Sequence, residues 1–188
     1  MDTEDWLRAI AACGGHYEEI VVAEAALDFS PVIVGEFSPM DEHWMKEALL
    51  QAEGALILGE VPVGAVVVQN GTVVGRGFNS TLAQSDPTAH AEIIALRDAA
   101  RTLKNYRLPE CELYVTLEPC AMCAGAIFNA RVKRIIFGAW DHKSGVAGSV
   151  LNLFENPKLN HHGAIAGGLL EEKSVKLLRN FFKSRRGK

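Results

Sequence analysis

The sequence predicts an α/β protein in three layers: a central mixed sheet of about five strands with helices on both faces. Two observations carry this. β-branched segments alternate with segments whose apolar positions recur at helical spacing, so that strand, strand, helix, strand, helix and strand follow one another. The dipeptide Asn70-Gly71 also joins the first two strands as a tight hairpin.

Residues 1–38 carry the least pattern and are read as an acidic N-terminal extension of unknown role, with the domain proper over 39–188. Within the extension, Thr3 caps a short helix through Cys13 that stops at Gly14-Gly15, and Pro31 breaks an apolar run over 19–34. From Asp41, read as an N-cap, Met45, Ala48, Leu49, Ala52 and Leu56 form one helical face that ends at Gly59. Residues 61–68 alternate and are β-branched, and 72–78 return as the second strand. The polar stretch 79–87 is a loop. Thr88 then caps a helix to Leu103 that buries Ala91, Ile94, Ala95 and Ala99. Residues 113–117 are a third strand. Pro119 suits the first turn of the next helix, which carries Cys120, Cys123, Ala126, Ile127 and Ala130. A fourth strand over 132–137, a loop over 141–148, a helical turn over 150–154, a weak fifth strand over 163–169 and a last helix over 170–182 complete the chain.

Composition bounds the function. Of 188 residues, 48% are hydrophobic and 22% charged, an ordinary globular mixture that argues against disorder. No apolar run reaches the ~18 residues of a membrane helix. The start Met1-Asp2-Thr3-Glu4-Asp5 is acidic where a signal or transit peptide is basic. The expectation is a cytoplasmic protein with no membrane partner. Four cysteines are too few for a disulfide framework, and two of them form a C-x-x-C. The net charge of −4 divides into −11 over residues 1–60 and +7 over 61–188. The last sixteen residues hold seven Lys and Arg and no acid. Such an end suits a phosphate-bearing partner, or equally a solvated helix C-terminus.

Four residues carry chemistry. His90, Cys120 and Cys123 offer one imidazole and two thiolates, a zinc ligand set that leaves a fourth tetrahedral position for water. Cys120 and Cys123 lie three apart at a helix start, where they share a face and the electropositive N-terminus favours thiolates. Zinc, one ion per subunit, fits a sulfur-rich tetrahedral set better than iron or copper. Glu92 stands two residues from His90, where a carboxylate can move the protons of that water. The alternative is a closed structural site, with Cys111, His142 or His161 as fourth ligand; Glu92 has no task in such a site.

His-x-Glu followed by Pro-Cys-x-x-Cys resembles the signature of zinc-dependent nucleobase deaminases. Within that superfamily Gly59-Glu60-Val61-Pro62-Val63-Gly64-Ala65, the run from Leu113 through Glu118 to Ala126, Phe137-Gly138-Ala139 and Phe181-Phe182-Lys183-Ser184-Arg185-Arg186 resemble the bacterial tRNA-specific adenosine deaminases. The resemblance spans roughly 41–186. It implies a cytidine deaminase-like fold, a homodimer, and hydrolysis of adenosine to inosine at the wobble position of a tRNA anticodon stem-loop, with zinc on His90, Cys120 and Cys123 and Glu92 as proton shuttle. It further implies that Asn79 binds the flipped-out purine, Asp141 the neighbouring ribose, and Asn160, Phe182 and Arg185 the substrate beyond. Asn79 also reads as a turn residue, Asp141 as a loop cap, and one of Phe181 and Phe182 as core. Trp140, His142 and His162 depart from the residues common in the family at the rim of the cleft. The competing readings are a guanine or cytosine deaminase, and a non-catalytic zinc-stabilised RNA-binding subunit; the latter kind lacks the glutamate that Glu92 supplies.

Overall fold

A computed structural model describes residues 37–186. Helix α1 (Pro39–Ile57) leads to the hairpin of β1 (Gly64–Gln69) and β2 (Thr72–Phe78). A single turn α2 (Thr81–Gln84), helix α3 (Ala91–Leu103), β3 (Cys111–Leu117), α4 (Ala121–Ala130), β4 (Arg134–Ala139), β5 (Ala164–Gly167) and α5 (Glu171–Arg186) follow. The sheet runs β2-β1-β3-β4-β5, with β1 antiparallel to both β2 and β3, and β3, β4 and β5 parallel. This is the three-layer mixed sheet that the sequence predicts. The expected helix over 3–13 and nearly all of the extension over 1–38 lie outside the described residues.

Strand alternation sorts the core into two halves. Ala65, Val67, Leu113, Val115, Ile135 and Phe137 face α3 and α4 and pack on Ala91, Ala95, Ala99, Ala124 and Ile127. Val66, Val68, Tyr114 and Ile136 face the other way and meet Met45 and Ala48 of α1 together with Leu169. The central strands are buried on both sides, which explains their near-continuous apolar runs. Asn70 (φ 50°) and Gly71 (φ 71°) both take the left-handed conformation that a two-residue hairpin turn needs. On β2, Gly77 lets α3 approach closely, because a Cβ there would collide with the Ala91 carbonyl oxygen and the Ala95 nitrogen.

Several boundaries differ from the sequence expectation, each for a local reason. Helix α1 starts earlier, with Ser38 as N-cap, Pro39 in its first turn and Asp41 completing a capping box at the third position; Asp41 is not the cap. Leu56, expected in the core, is 40% exposed at the end of that helix. Thr88 is not a cap either: its N–H and hydroxyl both donate to Asp86 Oδ1 at 2.7 Å, and α3 begins beyond His90. Ile94 is only partly buried, while Leu96 joins Ala91, Ala95 and Ala99 on the core face. The stretch 79–87 contains α2. β1 and β4 begin three and two residues later than expected, and β3 begins at Cys111. Residues 150–154 make no helical turn; Asn152 forms a β-bridge with Ala147 instead. Pro119 precedes α4 rather than opening it, since Cys120 is the N-cap. Helix α5 continues past 182 to Arg186.

Candidate active site

Two helix N-termini converge above the sheet. His90 is the N-cap of α3 (φ −78°, ψ 155°) and Cys120 the N-cap of α4 (φ −80°, ψ 172°), and neither side chain caps its own helix. Both therefore turn toward a common point. Cys123, one turn into α4, joins them. His90 Nδ1 lies 3.8 Å from Cys120 Sγ and 3.6 Å from Cys123 Sγ, and the three ligand atoms fall within 4.8 Å of one another. A tetrahedral zinc with ordinary bond lengths would separate nitrogen from sulfur by about 3.6 Å. The donor set thus fits the ion in chemistry and in spacing.

The candidate fourth ligands are elsewhere. Cys111 is buried on β3 opposite Gln69, His161 Nε2 is 2.8 Å from the Val132 carbonyl oxygen, and His142 is exposed. Among the described residues no other His, Cys, Asp or Glu joins the group.

Electrostatics set these groups apart from ordinary ones. The Cys120 thiol is pulled down to about 4, chiefly by the hydrogen bond from Cys123, against the opposing effect of burial and with help from His90. Cys123, which donates that bond, is pushed up by it and by burial. Its hydrogen bond to Cys120 raises His90. Glu92, in the first turn of α3, is 4% exposed, and burial lifts it to about 7.

A cleft of about 220 Å³ opens over these groups. Asn79, Val61, Val63 and Thr81 form the side that belongs to β1 and β2; Leu117, Glu118, Asp141 and Ser144 form the side that belongs to β3 and β4. Asn79 does two things. Its Oδ1 accepts the Ala91 N–H at 2.9 Å, capping α3 where His90 does not. That leaves the amide N–H groups as what Asn79 can offer a ligand. Asp141 is the loop cap that the sequence offers, and it also faces the cleft. It lines the cleft, and its carboxylate accepts from Lys143 N–H (3.0 Å) and the Ser144 hydroxyl (2.6 Å). The remaining expected contacts lie outside the cleft. Asn160 is exposed and accepts from Arg131 through both its carbonyl and its side chain. Phe182 is 47% exposed, stacked edge-on against buried Phe181. Arg185 donates to the Gly59 carbonyl at 2.6 Å, which brings the end of α5 to the loop that carries Val61. Of the departures, Trp140 packs edge-on against Phe137.

Val61, Val63, Thr81, Leu117, Glu118 and Ser144 also line the cleft, outside the His-x-Glu and C-x-x-C motifs that the sequence displays. Only Glu118 left a visible signal, as an acid closing an apolar strand directly before Pro119-Cys120.

Comparison with known proteins agrees with this geometry. The family model of the cytidine and deoxycytidylate deaminase zinc-binding region matches residues 38–139. The tRNA-specific adenosine deaminase of Haemophilus influenzae is 51% identical over 150 residues, covering 79% of this chain and 87% of that one. A solved chain from a study of A-to-I editing by tRNA:A34 deaminases at the wobble position of transfer RNA superposes with a TM-score of 0.70 at 45% identity, covering 72% of this chain and 99% of that one. Guanine deaminase from Bacillus subtilis gives a TM-score of 0.51 at 40% identity, covering 53% of this chain and 64% of that one. A metal-ligand triad at two helix starts, a buried glutamate beside it and a half-identical relative matched along most of its length place the chain in the tRNA-specific adenosine deaminase family.

Proposed function

We infer that this chain hydrolyses adenosine to inosine at the wobble position of a tRNA anticodon, releasing ammonia. The observation that carries this is one cleft holding both a three-ligand metal set and a buried carboxylate. Zinc held by His90, Cys120 and Cys123 supplies Lewis acidity that makes water nucleophilic near neutral pH. Glu92 handles the protons: it takes one from water as the water oxygen bonds to C6, delivers it to N1 of the purine, and passes the remaining hydroxyl proton to the C6 amino group, which leaves as ammonia when the C6–N bond breaks. Its burial keeps bulk water from competing for those protons. Asn79 presents its amide N–H groups to the flipped-out base, and Asp141 reaches the ribose beside it. Phe182 and Arg185, at the end of α5, meet RNA outside the cleft by stacking and by phosphate attraction. Unpaired loop bases are the ones a protein extracts at least cost, which suits an anticodon loop.

A guanine deaminase is the second reading, favoured by the match to the Bacillus subtilis enzyme, but that match covers barely half of this chain. A non-catalytic RNA-binding subunit is disfavoured by Glu92 in the cleft. A homodimer in the cytoplasm, where tRNA is met, is part of this proposal; light scattering at micromolar concentration should give twice the chain mass, and a monomer would refute it. The decisive experiment is sequencing of tRNA after incubation with the zinc-loaded protein. Inosine at the wobble position is expected. Ammonia from free guanine or cytosine, with tRNA unchanged, would overturn the assignment.

A further inference from the structure

Two carboxylates beside the cleft have no place in the chemistry above. Glu60 is 1% exposed and Glu118 is 2% exposed. Buried acids ordinarily face a cation, because an isolated charge is costly away from water. Neither of these has a Lys, Arg or His partner among the described residues. Their oxygens are instead filled by backbone N–H and hydroxyl donors from α2 and from the loop after β4. Glu118 accepts the N–H groups of Asp141 (2.9 Å), Ala147 (2.8 Å) and Ser149 (3.1 Å) together with the Ser149 hydroxyl. Glu60 accepts the Ala83 N–H (2.8 Å) and the Thr81 hydroxyl (3.2 Å).

The held segments are the two walls of the cleft. The loop gripped by Glu118 carries Asp141 and Ser144; the turn gripped by Glu60 carries Thr81. The loop hangs from the metal-bearing segment, since Val146 N–H also donates to the Pro119 carbonyl at 3.0 Å and Cys120 bridges Gly145. Each wall has backbone bonds of its own, such as Gln84 N–H to the Ser80 carbonyl and Gly145 N–H to the Asp141 carbonyl, and the two acids add buried side-chain ties that anchor it. We propose that Glu60 and Glu118 are positioning residues that hold the opposing walls at a set separation, and so determine how tightly the nucleotide around the reacting base is gripped. The part of this proposal that concerns catalysis rests on the deaminase reading; the clamp itself does not.

The experiment uses the full chain loaded with zinc, with Glu118→Gln and Glu60→Gln. A glutamine turns one acceptor oxygen into a donor, which then faces other donors. Hydrogen exchange should show lost protection at the Asp141, Ala147 and Ser149 amides in the first variant and at Ala83 in the second, with the β3 and β4 amides unchanged. On the anticodon stem-loop KM should rise roughly 10-fold, the size of one or two weakened contacts to the nucleotide, while kcat and zinc content stay close to wild type. Unchanged protection and unchanged KM would overturn the proposal. So would a parallel loss of zinc and kcat, which would make Glu118 a mere support for Cys120. If Glu118→Gln fails to fold, Ser149→Ala removes a single donor from the same clamp and should raise KM less; an unaltered KM there counts against the proposal equally. A wild-type protein that forms no inosine, with protection still lost in the variants, would refute the function and leave the clamp standing.

Discussion

Glu92 and Asp141 are both cleft acids, yet their surroundings give them different work. Glu92 has no Lys or Arg partner among the described residues and meets little solvent, so its carboxyl is free to carry protons. Glu92→Ala should therefore keep zinc and fold but lower the deamination rate by roughly 10²- to 10⁴-fold or more; metal analysis, circular dichroism and inosine formation check this, and a variant that still forms inosine removes Glu92 from the mechanism. Asp141 is occupied by the N–H of Lys143 and the hydroxyl of Ser144, and both bonds survive in Asp141→Asn because the serine hydroxyl can turn to accept. That variant should fold normally but lose a charged acceptor for a ribose hydroxyl. An approximately tenfold lower kcat/KM on RNA loops, the size of one charge-assisted bond, is expected, with a smaller effect on the matching DNA loop. Equal kinetics of variant and wild type on both would refute the ribose contact.

At the scale of elements, the site depends on where α3 sits. His90 and Glu92 are at its start, and its closeness to β2 depends on Gly77. Gly77→Ala puts a methyl against the Ala91 carbonyl and forces the helix outward. A loss of about 1–3 kcal/mol is expected from overpacking, with faster zinc release to a chelator, because the helix carries one ligand and α4 the other two. A lower Tm with unchanged zinc release would show that the helix position and the metal geometry are uncoupled. The same helix explains what could be read from the sequence. His90, Cys120 and Cys123 are legible because His-x-Glu and C-x-x-C are local patterns of zinc-ligand residue types, and Asn70-Gly71 and Asn79 bound β2 as observed. Thr88 does not cap α3, as the sequence suggests, because it is taken by Asp86; the cap comes from Asn79, twelve residues before Ala91. The stretch 150–154 reads as a helical turn, but the bridge between Asn152 and Ala147 prevails. The cleft walls were illegible for a larger reason. Val61, Thr81 and Ser144 meet only because the sheet orders its strands β2-β1-β3-β4, and no local pattern encodes that order.

Across the whole molecule, one polar cluster ties the outer layer to the sheet at a distance from the cleft. Asp41 of α1 receives Arg134 of β4 through two bonds, at 2.6 and 3.1 Å, and lies 2.8 Å from the Tyr114 hydroxyl of β3. Burial alone would raise the Asp41 pKa, but Arg134, the Ser38 N–H and Tyr114 outweigh it and hold the carboxyl well below its usual range. A group depressed in this way binds fewer protons in the folded than in the unfolded chain, where its pKa is ~3.9. Its contribution to stability is therefore complete above that value and drains away as the pH falls below it toward the folded pKa. Asp41→Asn keeps the shape, loses the charge, and should lower stability by about 1–3 kcal/mol at pH 7. The difference from wild type should narrow between pH 4 and pH 2 as the wild-type carboxyl is protonated. Urea unfolding of both proteins at pH 7, 5, 4 and 3 tests this. Acid loss of the metal-ligand thiolates weakens both alike, so only the gap between the two curves is informative. A gap that stays constant down to the lowest pH would mean that Asp41 is not what fastens α1 to the sheet by charge.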